Sequence, residues 1–172
     1  MSYITHRSQG IVISHTPYGA SDRIVTLLTQ DHGVIKVRVQ NARGIESRLR
    51  YGTQFLTHGL FEYIRARDTW RLIGVHAIEN TSLGSDDIKH VAPLCRDLDY
   101  FIVGEDPCPE IYGALYTLLF TSHNNFAHQV LVTRLSILSD LGYIEYEPYG
   151  LAQDLSKAHA AIAQAYQVAQ LS

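Results

Sequence analysis

Apolar positions along the chain fall into two regimes. Up to about residue 80 they form short blocks rich in β-branched and aromatic residues, and beyond it they recur every three to four positions. The first regime predicts strands over residues 10–14, 24–29, 34–40, 55–64 and 70–78. Tyr18-Gly19, His32-Gly33 and Arg67-Asp68 supply the turns between them. Gly19 can take positive φ and Ser21-Asp22 can hydrogen-bond local backbone, so residues 23–39 read as a hairpin closed by His32-Gly33. In VIKVRVQ the residues Ile35, Val37 and Val39 share one face, and Lys36, Arg38 and Gln40 share the other. Five short strands in about 80 residues fit a small closed barrel, of which the OB-fold is a common case.

In the second regime Ser85 can cap a helix over residues 86–103, with Asp86 and Asp87 at the positive end of its dipole. The break EDPCP follows, and Pro109 or Glu110 can open a second helix reaching about residue 121. Asn124 or Asn125 can cap a third that ends at Gly142, and an alanine-rich fourth spans 154–171. The expected class is α+β in the sense of all-β followed by all-α. Residues 1–80 form a five-stranded OB-fold barrel and residues 81–172 a helical domain, meeting around residues 78–84.

Composition adds a charge contrast. The 172 residues carry a formal net charge of −3 with 46% hydrophobic residues. Residues 1–80 hold ten Lys and Arg against six Asp and Glu, a net of +4, whereas residues 81–172 hold four against eleven, a net of −7. A basic module joined to an acidic one points to a polyanionic partner for the first half. No apolar run approaches the roughly 18 residues of a membrane span, and MSYITHRSQG lacks the apolar core of a signal peptide, so a cytoplasmic protein without membrane association is expected. Cys95 and Cys108 lack the spacing of a zinc ribbon or a disulfide framework and are expected as buried free thiols. His123 and His128, five apart, would stand about 140° from one another on a helix. No metal or cofactor is expected. Neither a Ser-His-Asp order, a phosphate loop nor a paired-carboxylate motif occurs, so no enzyme is expected either.

The candidate chemistry concentrates in NARGIESRLRYG, where Arg43, Arg48 and Arg50 crowd a glycine-containing loop just after Lys36 and Arg38. Such a loop can set several guanidinium groups along one phosphate backbone. Tyr51, Phe61, Tyr63 or Trp70 could offer a ring for base stacking, although Phe61 and Trp70 at strand spacing also suit a core. Arg65, Arg67 and Arg71 form a second basic group. In a different reading the acidic helical half is the working surface of a protein-interaction module and the barrel is its scaffold.

The segment Gly10-Ile11-Val12, the run Tyr18-Gly19 with Ser21-Asp22-Arg23-Ile24-Val25-Thr26-Leu27-Leu28-Thr29, and His32-Gly33 resemble the bacterial RecO recombination mediators. Ala42-Arg43 and Ser47-Arg48 resemble that family's basic loop, and Leu141-Gly142-Tyr143 its Leu-Gly-Tyr segment. The resemblance implies an OB-fold joined to a helical domain that binds single- and double-stranded DNA. It also implies annealing of strands coated with single-stranded-DNA-binding protein, and work with RecR to load RecA. On this reading the protein is nucleoid-associated, and the hairpin brings Arg23, Lys36 and Arg38 near the basic loop, giving a DNA-binding set of Arg23, Lys36, Arg38, Arg43, Arg48, Arg50 and Tyr51. Many family members carry a cysteine zinc motif after Leu-Gly-Tyr. Here YIEYEPYGLAQDL follows Gly142 without a cysteine, so zinc is not expected.

Overall fold

A computed structural model of the chain describes residues 4–42, 49–145 and 147–170. Five strands, β1 (Thr5–Tyr18), β2 (Asp22–Thr29), β3 (Gly33–Val39), β4 (His58–Ala66) and β5 (Thr69–Glu79), close into a barrel in the order β1-β2-β3-β5-β4. All pairings are antiparallel except that of β3 with β5. This is the predicted five-stranded OB-fold, followed by helices. A short helix α1 (Leu49–Gly52) joins β3 to β4, and α2 (Ser85–Phe101), α3 (Pro109–Phe120), α4 (Phe126–Asp140), α5 (Pro148–Ala152) and α6 (Leu155–Ala169) make the second half.

The barrel interior is filled from alternate positions: Val12 of β1, Val25 and Leu27 of β2, Ile35, Val37 and Val39 of β3, Phe61 and Tyr63 of β4, and Trp70 and Leu72 of β5. Ile11 and Ile13 of β1, Leu28 of β2 and Leu56 belong to a different cluster, with Leu94, Cys95 and Leu98 of α2 and Leu115 and Leu118 of α3. Both faces of β1 and β2 are therefore buried, one inside the barrel and one under helices. That explains why GIVI and IVTLL lack the polar–apolar alternation of VIKVRVQ, even the one polar residue, Thr26, being buried. The two halves share a core rather than abutting along the connection at 78–84.

Several elements differ from the sequence reading. β1 reaches from Thr5 to Tyr18 because residues 5–11 pair with β4 and residues 10–18 with β2, turning at a bulge between Val12 and Ser14. Its polar ends face solvent and carry no apolar pattern to read. β4 starts at His58, not residue 55, since the chain leaving α1 turns through Leu56 at φ 65 before meeting Val12. Helices α1 and α5, of four and five residues, are too short for periodicity to reveal. Gly84, not Ser85, caps α2, and its side-chain-free cap leaves Asp86 and Asp87 to meet the dipole. Asn125 caps α4 by accepting from the His128 backbone N–H, and Asp154 caps α6 by accepting from Ser156 and Lys157.

The second half is pinned internally by Asp97 on α2, which is 2% exposed. Arg134 of α4 donates to both its oxygens, and the Tyr166 hydroxyl of α6 donates to Oδ1 at 2.5 Å. Burial, with Asp97 second, pushes the Tyr166 hydroxyl up to about 12. One carboxylate thus ties three helices, and removing Arg134 would strand a buried charge at a cost of about 3–5 kcal/mol.

Two glycines separate the conformational from the steric role of the hairpin turns. Gly19 has φ 59 and open space within 4 Å of where a Cβ would stand, whereas at Gly33, φ 57, a Cβ would overlap the backbone oxygen of Asp106. Gly19→Ala is expected to cost about 1–2 kcal/mol from left-handed backbone alone. Gly33→Ala should cost clearly more, because the β2–β3 turn must also part from the segment leading to α3. Equal losses for the two in urea unfolding would show that the Gly33–Asp106 approach is not a fixed contact.

Candidate nucleic-acid interface

Helices cover the outer faces of β1 and β2 at Ile11, Ile13 and Leu28, whereas β3 and the start of β5 carry an open side of the barrel. Lys36, Arg38 and Gln40 are exposed on β3, as their alternation with buried Ile35, Val37 and Val39 requires. The parallel pairing of β3 with β5 sets Arg38 beside Arg71, and registered residues share a face, so Arg71 extends the basic stripe onto the next strand. The Arg38 guanidinium carbon sits 5.1 Å from the centre of the Tyr18 ring, which is half exposed.

These cations are not free. Asp22 Oδ2 accepts from Arg38 Nε at 2.7 Å and Nη2 at 2.6 Å, and Asp22 Oδ1 accepts from the backbone N–H of Asn41 at 3.0 Å. The Asn41 N–H, then the Arg38 guanidinium, hold the Asp22 carboxyl below the usual carboxylate value of 3.8. Asp22 thereby fixes the first residue of the connection that carries Arg43 and Arg48. Lys36 Nζ lies 2.9 Å from Asp99 Oδ1 of α2, a contact of charge outside hydrogen-bond alignment.

The other expected site residues are distributed differently. Arg23 stands in register with Val39, whose side chain lies in the barrel core, so it does not share the face of Lys36 and Arg38. It is half-buried, and its Nη1 has no hydrogen-bond partner among the described residues. Arg50 and Tyr51 are exposed on α1, Tyr51 at 70%, and α1 packs through Gly52 on Val75 and Ile78 at the far end of β5 from Arg71. Arg43 and Arg48 lie outside the described residues. Phe61, Tyr63 and Trp70 are 0%, 0% and 6% exposed and cannot serve for stacking. The Tyr63 hydroxyl meets His32 Nδ1 at 2.9 Å, and Trp70 Nε1 donates to Glu105 at 2.9 Å, where Arg65 also binds at 2.8 Å. Arg67 is exposed at the β4–β5 turn.

Two features were not legible in the sequence. The Arg38–Arg71 pairing depends on a parallel contact between strands about 30 residues apart, and Tyr18 reads as a turn residue until its ring is seen beneath Arg38. A cleft of about 540 Å³ in the acidic half is lined by Lys89, His90, His128, Arg134 and His159 and by no carboxylate, a local departure from the net count of −7, although Arg134 is itself paired with Asp97. Among the described residues no three His, Cys, Asp or Glu side chains come together as a metal site, and no helix is long and apolar enough to cross a membrane. Cys95 is buried, Cys108 half-buried, and burial raises both thiols.

The fold defines a class: an OB-fold barrel with a cationic outer strand pair, backed by a helical half on a common core. Residues 1–80 match the family described as Recombination protein O N terminal. The N-terminal region of the chain, residues 1–80, belongs to this recombination protein O family. It is 30% identical over 141 residues to the DNA repair protein RecO of Listeria monocytogenes serotype 4b (strain CLIP80459), covering 79% of this chain and 55% of that protein. It is 43% identical over 120 residues to the DNA repair protein RecO of Heliobacterium modesticaldum, covering 67% and 42%, and 32% identical over 117 residues to that of Gloeothece citriformis, covering 64% and 40%. The chain spans about half the length of the Listeria relative it matches.

Two histidines give the fold a pH dependence. Burial first, and Arg23 second, lowers His15 below 6.5, and burial lowers His58 despite the opposing Glu79. The unfolded chain takes up protons near 6.5 that the folded chain refuses, so this stability is present above pH 6.5 and is lost as pH falls through the folded values. The melting temperature is expected to drop between about pH 7.5 and about pH 5.5, and the drop should shrink in a His15→Gln/His58→Gln variant. An undiminished drop would assign the effect to other groups.

Proposed function

We propose that the chain is a DNA-binding recombination mediator of DNA repair and not an enzyme. It binds single- and double-stranded DNA on the open β3–β5 side of the barrel and the adjoining connection, anneals complementary strands, and acts with RecR and single-stranded-DNA-binding protein so that RecA is loaded. The observation that carries this reading is the stripe of Lys36, Arg38 and Arg71 on a barrel side that the helices leave exposed, in a chain whose first 80 residues match the recombination protein O family. Phosphate contacts from such a stripe give affinity without sequence preference, as a mediator acting at arbitrary sites requires. Tyr18, exposed beside Arg38, offers a ring on this surface in place of the buried aromatics, and Tyr51 offers another on α1.

The division of labour we propose puts DNA binding in residues 1–80 and protein partners in residues 81–172. In support, the cation-lined cleft of the helical half has apolar walls from Val130, Leu131 and Leu155, the lining that an acidic, partly apolar tail of single-stranded-DNA-binding protein would require. Because Ile11, Ile13, Leu28 and Leu56 are covered by helices, the two parts are units of function on one folding unit.

Replacing Arg43, Arg48 and Arg50 together by alanine is expected to weaken DNA binding and to flatten the plot of log K against log salt by up to roughly 2–3 units, with little change in melting temperature. Annealing should fall in parallel, since two polyanions approach only where cations screen both. Unchanged affinity and slope in a fluorescence-anisotropy titration would remove this loop from the binding surface.

A further inference from the structure

The outward side of β1 does not meet α2 flush. A groove of about 640 Å³ runs between them, floored by Ile13, Phe55 and Pro93 and edged by Lys89, Arg96 and Asp99 of α2. These three α2 residues are seven and three positions apart, the spacing that puts side chains on one face of a helix. The stripe they form is continuous with the barrel surface, because Asp99 at its end contacts Lys36 of β3 at 2.9 Å. Arg96 is exposed, and the Lys89 side chain, 75% exposed, pairs among the described residues with Asp86 one turn away. Of the eleven carboxylates in the acidic half, Asp99 alone lines the groove.

We propose that the nucleic-acid surface crosses the seam between the halves: a single DNA strand leaves the β3 face at Lys36 and continues along α2, with its phosphates on Arg96 and Lys89. This rests on the DNA-binding reading above and extends it onto the half whose net charge argues against it. Half-buried Phe55 in this groove, beside Lys89 and Arg96, gives the mix of cations and aromatic ring by which single strands are held without sequence preference. Asp99 is the opposing charge on this path. A phosphate approaching Lys36 must displace its carboxylate, so Asp99 weakens binding where Arg96 and Lys89 strengthen it.

The test is anisotropy of a labelled mixed-sequence single-stranded oligonucleotide with the intact chain across a salt series. The Lys89→Ala/Arg96→Ala variant is expected to bind more weakly and to lower the magnitude of the salt slope by up to about 2, one for each phosphate that no longer meets a cation. Asp99→Asn should shift the other way, with tighter binding and a steeper slope. Lys157→Ala, which removes a cation of α6 outside the groove, should leave the slope unchanged. Since the substituted side chains are exposed or half-exposed, melting curves of all four proteins should superimpose closely. Wild-type affinity and slope in the double variant, alongside an impaired Arg43→Ala/Arg48→Ala/Arg50→Ala variant, would end the strand's path at the barrel and leave the DNA-binding reading standing. If the wild-type chain bound no oligonucleotide at low salt, both would fall. Loss of binding to an acidic peptide but not to the oligonucleotide in the double variant would overturn the proposal in favour of a protein surface.

Discussion

Everything in this molecule follows from the burial of β1 and β2 on both faces. A barrel of five strands in about 80 residues has a small interior, and residues such as Val12, Leu27 and Phe61 fill it without providing much apolar area for a domain of that size. The larger cluster lies outside the barrel, where Ile11, Ile13, Leu28 and Leu56 receive Leu94 and Leu98 of α2 and Leu115 of α3. Truncating one of these fully buried leucines would cost about 2–5 kcal/mol, a large fraction of the stability of any domain of this size. The helical half is held against the barrel by side chains of the barrel strands themselves, so neither half is a mere appendage of the other.

That arrangement also decides where a ligand can go. The helices take the outside of β1 and β2 around Ile11, Ile13 and Leu28, α1 takes the end of β5 near Val75 and Ile78, and what is left is the face where Arg7 of β1 pairs with Glu62 of β4, together with the outside of β3 and the start of β5. On those strands every residue that does not point inward is free to be polar, and three of them are Lys36, Arg38 and Arg71. The charge pattern is thus a consequence of the packing pattern. Where apolar residues are not needed on both faces a strand can carry cations, as β3 and β5 do with Lys36, Arg38 and Arg71, and as the outer ends of β1 and β4 do with Arg7 and Arg65.

The same logic explains what was and was not readable in the sequence. Alternation in VIKVRVQ disclosed both the strand and its solvent face, and the positive-φ glycines of YG and HG marked the two turns on either side of β2. The polar stretches THRSQ and SHTPY of β1 conceal strand because their pairing, not their hydrophobicity, makes them strand. Arg23 looked like its neighbours in charge but shares a face with Val39, and a register is needed to see that, since one position along a strand reverses the side. Tyr63 and Trp70 were ambiguous for a related reason: each has a polar atom that a sequence cannot assign, and here those atoms are spent on His32 and Glu105 at the rim of the barrel. The helices long enough to show a period were legible to within a few residues, whereas α1 and α5 were not.

The basic surface differs in one physical respect from a bare cationic patch. Arg38 is held by Asp22 and Lys36 by Asp99, so the side chains are positioned and their field partly cancelled before any ligand arrives. An exposed ion pair of this kind contributes little to folding, but it changes what binding means. A phosphate does not simply neutralise a solvated cation; it replaces a carboxylate, and the displaced carboxylate must be resolvated or find a cation of its own. Part of the counterion release that drives protein–DNA association is thereby offset, which lowers affinity and salt dependence together. Asp22 has a compensation that Asp99 lacks, because the backbone N–H of Asn41 continues to bond its other oxygen when Arg38 leaves. Arg38 is consequently the cation that exchanges partners at least cost, with the Tyr18 ring beneath it to hold the guanidinium in place as it does so.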